Sequence, residues 1–455
     1  MTRPLLLFIT GTVFSACVGG TPERRPSDEN SAAAIEQEVE RLAAERAGNE
    51  ALWPGFDPLA IPLAVYDGER TLLFRHPAPP QGFTPVAGAA PGSFAWKGRH
   101  EAVTANTNSE IGGVPTATLL VDRAQPGGSL PKLAAVAIHE GFHVYQRERH
   151  PGWIGNEVDL LVYPIDSSDL LAFRRLETEA LRRALAADDV AVAACWARRA
   201  LVFRGERYAR MDSTFAAYER GTELNEGLAT YVEMRAAGRR AVDLPETGFG
   251  PAEVRHRAYA TGPALALLLD RFKPGWPATL EANDQQTLDE MLKEALGAGN
   301  ACAFEDAAVA GAEEKARADI EVLAAEREQK LTAFEGKPGW RVVVESGGSE
   351  PLWPQGFDPL NVDRIEPERV IHTRFLRLGN DAGKLEVMNA EALTDGAGSH
   401  PLFHGIRLVV VTGLVKPEVS EADGMVRVRA AGLTLEFKGA SITRSGEVIT
   451  VRVGS

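Results

Sequence analysis

Residues 139 to 143 read His-Glu-Gly-Phe-His, within the apolar stretch LAAVAIHEGFHVY, whose pattern predicts a helix. Side chains four apart lie on one face of a helix, so the imidazoles of His139 and His143 can converge on a single metal ion. Glu140 lies about 100° round the helix, where its carboxylate can reach a water molecule on that ion without binding the ion. Burying these groups without partners would be costly, so the motif predicts a metal site.

The chemistry of such a site is hydrolysis. A zinc ion polarises a carbonyl group and acidifies a water molecule, while a neighbouring carboxylate takes the proton from that water and delivers it to the leaving amine. We therefore expect one Zn²⁺ ion held by His139 and His143, with Glu140 as general base and acid.

A third ligand is needed, and the residues directly after the motif do not provide one. Gln146 and Arg149 stand where a metzincin has Gly and His, which excludes that class of zinc enzyme. The helical region around ELNEGLATYVE offers carboxylates instead. Glu219, Glu223 and Glu226 share one helical face there, so each is a candidate ligand.

A long stretch of chain separates the two halves of this site, because 82 residues (144 to 225) lie between His143 and Glu226. Apolar residues continue through it at spacings of three and four. An antiparallel pair of helices within residues 168 to 210 would return the chain to the metal.

Two elements after HEGFH resemble the aminopeptidase N-like gluzincins, a family of zinc peptidases. LNEGLA is similar to the family's Leu-Asn-Glu-Gly-Phe-Ala element, which implies Glu226 as the third zinc ligand and Glu233 as a supporting residue. YATG is similar to its Tyr-x-x-Gly segment, which implies that Tyr259 donates a hydrogen bond to the oxyanion. Glu223 is the alternative ligand, and His256 is the alternative donor.

The resemblance covers residues 135 to 272 and does not extend to the substrate. The Gly-Ala-Met-Glu-Asn segment, with which the aminopeptidases hold a free α-amine, is absent, so aminopeptidase activity does not follow. Upstream, the alternating stretch TATLLVD is predicted to be an edge strand that pairs with an extended peptide. Glu110, Gly112 and Gly113 would shape the substrate end, with a plain hairpin turn as the alternative account of the two glycines.

The first residues, MTRPLLLFITGTVFSAC, are typical of a secretory signal peptide, since the apolar run is too short to span a bilayer. Their end resembles the bacterial lipobox, in which Cys17 would be acylated; cleavage near Ala16 by the ordinary signal peptidase is the alternative. We expect export to the bacterial periplasm or envelope, with a membrane link only through a lipid at Cys17. Cys195 and Cys302 could pair in an oxidising compartment.

Charge and length bound the remaining possibilities. The formal net charge is -14 and no Lys/Arg run is present, which argues against a nucleic-acid partner. A peptide or protein substrate is the expected partner. The 455 residues suffice for two or three domains.

The pattern along the chain predicts an α+β multidomain protein. We expect a β-rich N-terminal part, a mainly helical gluzincin-type core and a C-terminal antiparallel β-sandwich-like domain. The expected boundaries are a signal peptide at 1–17, a tether and short helix at 18–50, the β-rich part at 51–130, the helical core at 131–337 and the β domain at 338–455.

Two short segments are similar in sequence, LWPGFDPL at 52–59 and LWPQGFDPL at 352–360. Trp-Pro and Asp-Pro are turn formers, so we interpret the two segments as similar turns, each of which buries its Trp in a core.

Two functions remain. The first is an exported zinc metallopeptidase; the alternative is a non-catalytic envelope binding or scaffold lipoprotein that retains a gluzincin-like fold. A structural zinc site is closed by four protein ligands and needs no carboxylate beside them, so the presence of Glu140 and Tyr259 favours the enzyme.

Overall fold

The computed structural model describes residues 31–46, 51–87, 92–121, 128–347, 350–359, 361–397 and 400–454. The predicted signal peptide, the lipobox with Cys17 and the tether up to residue 30 lie outside the described residues. The chain forms two compact units, one of Met1–Arg46 with Asp57–Gly141 and one of Ala47–Phe56 with Phe142–Ser455.

The first unit combines a helix with a six-stranded sheet. Helix α1, Ala32–Glu45, begins at Ser31, whose hydroxyl accepts a hydrogen bond from the amide of Ala34. The strands are β1 (Leu63–Tyr66), β2 (Arg70–Phe74), β3 (Thr84–Pro85), β4 (Phe94–Lys97), β5 (Thr107–Ile111) and β6 (Val114–Leu120). Their order in the sheet is β3-β4-β2-β1-β6-β5.

The predicted substrate strand is not an edge strand, and that prediction is wrong. Strand β6, which holds most of TATLLVD, pairs with β1 on one side and with β5 on the other. Alternating apolar residues report which face of a strand is buried and do not report whether both edges are paired. The edge strand next to β6 is β5, which carries Glu110 with an exposed side chain.

Gly112 and Gly113 form the turn of the β5–β6 hairpin. Their φ angles are +59° and +78°, a conformation that glycine adopts without the strain that a side chain would bring. The hairpin alternative for this pair is therefore the one that the structure adopts.

Helices dominate the middle of the chain. Helix α2, Leu130–Arg149, carries the HEGFH motif and crosses the division between the two units. The helices that follow are α3 (Glu157–Val162), α4 (Ser168–Ala186), α5 (Val190–Tyr208), α6 (Ser213–Thr222), α7 (Leu228–Ala236), α8 (Val254–Phe272), α9 (Trp276–Ala282), α10 (Leu288–Leu296) and α11 (Asp306–Glu335). Helices α4 and α5 pack along each other where the sequence predicts a helical pair.

The C-terminal part of the second unit consists of two sheets. The strands are β7 (Trp340–Ser346), β8 (Trp353–Phe357), β9 (Val362–Arg364), β10 (Arg369–His372), β11 (Phe375–Asn380), β12 (Gly383–Met388), β13 (Ala392–Gly396), β14 (Ile406–Leu414), β15 (Glu418–Ala422), β16 (Met425–Ala430), β17 (Leu433–Lys438), β18 (Ser441–Ser445) and β19 (Val448–Val453). One sheet has the order β18-β19-β7-β14-β13-β10-β9 and the other β15-β16-β17-β12-β11-β8.

One hydrophobic cluster joins these two sheets. Val342 and Val344 of β7 and Leu376 and Leu378 of β11 are fully buried within it, and Leu161 of α3 packs there as well. The described residues are thus mixed α and β, with β-rich parts at both ends, and the α+β class predicted from the sequence is confirmed.

The Trp residues of the two similar segments have different environments. Trp53 is buried beneath α2, in contact with the rings of Phe142 and Trp276. Trp353 is 45% exposed and lies in strand β8, so the interpretation as a turn that buries its Trp in a core is wrong for the second segment. Similar residues thus take different local structures in the two places, and burial of each Trp depends on what packs over it.

A disulfide connects Cys195 on α5 to Cys302, shortly before α11. Backbone contact supports it, since the amide of Cys302 donates to the carbonyl of Cys195 at 3.2 Å. None of the helices in the described part of the chain has the length and apolar character that crossing a bilayer requires.

Candidate metal centre

The three polar residues of HEGFH are buried. His139, Glu140 and His143 are 7%, 8% and 8% exposed. Phe142 precedes His143 in the chain and points to a different side of the helix. Its ring contacts those of Trp53 and Phe56, with centroids 5.5 and 5.2 Å apart. This packing fixes the orientation of the helix about its own axis, and with it the direction in which His143 points.

His139, His143 and Glu226 form a group that could hold a metal ion. One ligand atom from each lies within 4.8 Å of the other two, and Glu226 is 7% exposed. Oε2 of Glu226 is 3.1 Å from Nε2 of His143. Two imidazoles and one carboxylate are a donor set found in catalytic zinc sites, so the residues present fit such an ion. It is the one group of this kind among the residues that the structure describes.

Gln146 determines which nitrogen of His143 faces the group. Its Nε2 donates to the carbonyl oxygens of Leu224 and Asn225, at 2.8 and 3.0 Å. Its Oε1 must then accept, and it lies 2.8 Å from Nδ1 of His143. Nδ1 therefore carries the proton in the neutral ring, and Nε2 keeps the lone pair that a metal ion requires.

Glu226 lies in a single turn of π-helix, Glu223–Gly227, between α6 and α7. Such a turn changes the direction of side chains within an otherwise regular helix and is frequent at functional sites. Gly227 in this turn meets Gly262 of α8 at the backbone. A Cβ atom on Gly262 would lie 2.5 Å from Cα of Gly227. The two glycines bring the segments of Glu226 and Tyr259 together.

Buried arginines occupy the two competing carboxylates. Arg204 donates to both oxygens of Glu223 at 2.7 Å. Arg207 and Arg257 pair with Glu219. Burial alone would raise the pKa of Glu219, but these two guanidinium groups outweigh burial and hold that pKa below its usual value. Of the three carboxylates on the predicted face, it is Glu226 that joins the two histidines.

Arg255 connects three groups beside the metal centre. Its Nη2 donates to Oε1 of Glu226 at 2.6 Å, its Nη1 to the hydroxyl of Tyr259 at 2.7 Å, and its Nε to Glu157 at 2.9 Å. Glu157, on α3, also accepts from the hydroxyl of Tyr218 at 3.1 Å.

Tyr259 is half-buried, and its hydroxyl accepts a hydrogen bond from Nη1 of Arg255 at 2.7 Å. Burial raises the pKa of its phenol, the charge of Glu226 raises it further, and Arg255 opposes both. The hydroxyl is therefore protonated at neutral pH and can act as a donor.

The other predicted site residues lie at different places. His256 is exposed and stacks on the ring of Tyr259, with centroids 6.1 Å apart. Glu233, on α7, forms an ion pair of 3.0 Å with Arg239. Glu110, Gly112 and Gly113 lie in the β5–β6 hairpin of the first unit.

Sequence reasoning missed the parts played by Gln146, Arg255 and Glu157. The signal for Gln146 is its position three residues after His143, which puts both side chains on one helix face. Arg255 lies four residues before Tyr259, again one turn away. Glu157 has no sequence signal, since it reaches Arg255 from 98 residues earlier in the chain.

Comparison of the chain with protein-family models, with curated proteins and with solved structures finds no match.

Proposed function

We propose that this protein is a zinc-dependent metallopeptidase. The observation that carries the proposal is the buried group of His139, His143 and Glu226, with Glu140 next to His139 on the same helix. These three residues would hold the ion, which when bound would polarise a substrate carbonyl and make a water molecule more acidic.

The protein's own residues supply the remaining chemistry. Glu140 takes a proton from the attacking water and passes it to the nitrogen of the leaving amine. The hydroxyl of Tyr259 donates a hydrogen bond to the oxygen on which negative charge develops. Burial of the site keeps bulk water away, which strengthens both interactions.

The proposal extends to the finer features of the fold. The helical part from α2 to α8 is proposed to be a gluzincin-type core, which the motif order HEGFH, LNEGLA and YATG supports. The C-terminal sheets are proposed to form a β-sandwich, because both contribute buried side chains to one cluster.

We also propose that the protein is exported. The disulfide between Cys195 and Cys302 supports this, because disulfides persist in oxidising compartments and are rare in the reducing cytosol. Acylation of Cys17 would then hold the protein at the envelope.

The experiment combines metal analysis with a substitution at Glu140. Purified protein is expected to contain about one equivalent of zinc and to hydrolyse members of a peptide library. The variant Glu140→Gln should keep the metal, since Glu140 is not a ligand, and lose at least about 100-fold in kcat.

Two outcomes separate the alternatives. Hydrolysis retained in Glu140→Gln would eliminate the proposed mechanism. Bound zinc without turnover of any peptide would favour the binding or scaffold lipoprotein. Replacement of His143 by Ala is the positive control, because it should remove zinc and activity together.

A further inference from the structure

Arg255 lies in the first turn of α8 and contacts groups from three separate elements. They are Glu226 of the π turn, Tyr259 of α8 itself and Glu157 of α3. A guanidinium presents five N–H donors in a rigid planar fork, and here each of its three nitrogens donates to a different acceptor. The side chain is 26% exposed, so these charge-assisted hydrogen bonds are partly shielded from water.

The contact with Glu226 assigns its two oxygens to different partners. Arg255 lies 2.6 Å from Oε1, whereas Oε2 faces Nε2 of His143 at 3.1 Å. With Oε1 held, a single oxygen is directed at the ligand group. Arg255 thus does for Glu226 what Gln146 does for His143: each fixes the orientation of one ligand through the atom that does not face the metal position.

The contact with Tyr259 determines the direction of its hydroxyl proton. A guanidinium can only donate, so the bond from Nη1 uses a lone pair of the phenol oxygen. The proton must therefore point away from Arg255. One cation in this way orients a metal ligand and the proposed oxyanion donor together.

We propose that Arg255 is a positioning residue of the metal centre, which holds Glu226 to one-oxygen binding and directs the hydroxyl of Tyr259, while Glu157 anchors the guanidinium. The inference rests on one part of the proposed function, the binding of a metal ion. It does not depend on peptide hydrolysis.

Metal affinity tests the inference without reference to activity. The full-length protein is stripped of metal, and its affinity for Zn²⁺ is measured by competition with a chromogenic chelator. We expect Arg255→Met to weaken binding about 10- to 100-fold, the usual effect of losing a residue that orients a ligand. Arg255→Lys should also weaken it at least about tenfold, since one ammonium group cannot reproduce the fork.

Arg220 offers a matched control. Its side chain is 29% exposed and pairs with Asp289 at 2.8 Å, outside the metal centre. Arg220→Met should leave Zn²⁺ affinity unchanged within about twofold. The visible absorption of bound Co²⁺ gives a second signal. In Arg255→Met the second oxygen of Glu226 can also bind the ion, and this higher coordination number would weaken the absorption relative to the wild type.

Each result decides something. Wild-type affinity in both Arg255 variants, or in Arg255→Lys alone, would overturn the positioning role; the latter result would mean that charge suffices. If Arg255→Met melts early without metal, Glu157→Gln replaces it and should show a smaller loss of Zn²⁺ affinity, whereas no loss would count against the inference. Failure of the wild type to take up Zn²⁺ or Co²⁺ would remove the inference, while uptake without peptide hydrolysis would refute only the proposed peptidase activity.

Discussion

At the scale of single residues, the centre depends on side chains that hold the proposed ligands as well as on the ligands themselves. Gln146 links the two halves of the site, because its amide contacts His143 on α2 and the backbone of Leu224 and Asn225 beside Glu226. It is 2% exposed, so water cannot replace these hydrogen bonds.

We predict that Gln146→Leu weakens Zn²⁺ binding about 10- to 100-fold, because His143 loses the acceptor that fixes its tautomer. Two carbonyl oxygens also lose their donor, which should lower the free energy of unfolding by about 1–3 kcal/mol. Chelator competition and urea denaturation of the metal-free protein measure the two effects. Gln285→Leu, at an exposed side chain in the loop before α10, is the control. An unchanged affinity in Gln146→Leu would contradict the role given to Gln146.

At the scale of elements, the contact between the π turn and α8 brings Glu226 and Tyr259 to one place. Helices approach this closely only where neither carries a Cβ atom, and Gly227 and Gly262 meet that condition. A regular α-helix at residues 223–227 would direct these side chains differently. The close packing of the two elements is therefore part of how the site is built.

Substitution of Gly262 by Ala is predicted to separate these two elements. The new Cβ would lie 2.5 Å from Cα of Gly227 and 3.1 Å from the carbonyl oxygen of Glu223, both backbone atoms that cannot move alone. We expect a loss of about 1–3 kcal/mol in the free energy of unfolding, together with weaker Zn²⁺ binding.

Gly205 on α5 provides the control for this prediction. A Cβ there meets no atom within 4 Å, so Gly205→Ala should raise stability by about 0.5–1 kcal/mol. Urea denaturation of the two variants side by side gives the comparison. Equal stability in both would show that the glycine contact does not constrain the π turn.

At the scale of the whole molecule, the disulfide joins positions 107 residues apart in the chain. The enclosed segment runs from α5 to the residues before α11 and includes the π turn, α7 and α8. A cross-link over a loop of this length restricts the unfolded chain strongly. It therefore supports the helical part that carries Glu226, Arg255 and Tyr259.

Removal of this disulfide is predicted to destabilise the folded protein. The paired variant Cys195→Ala with Cys302→Ala should lose about 2–5 kcal/mol in the free energy of unfolding and melt at a lower temperature. Calorimetry with and without reductant measures this. Reductant should lower the melting temperature of the wild type and leave that of the paired variant unchanged. A wild type indifferent to reductant would show that the bond contributes nothing to stability.

Local patterns made part of this protein predictable from its sequence. The i, i+4 spacing of His139 and His143 lies within one helix, and the period of apolar residues predicts helices in the middle and strands at both ends. Only the family resemblance identifies Glu226 as the third ligand. Helical spacing alone does not distinguish Glu219, Glu223 and Glu226, because all three share one helical face.

Only the tertiary structure separated those three carboxylates. Buried arginines from α5 and α8 neutralise Glu219 and Glu223, and a π turn held by Gly262 places Glu226 beside His143. The exposure of Trp353 and the inner position of β6 were likewise unpredictable. The physical reason is common to all of them: spacing along the chain determines which side chains share a face, whereas burial and ion pairing depend on residues far away in sequence that fold against that face.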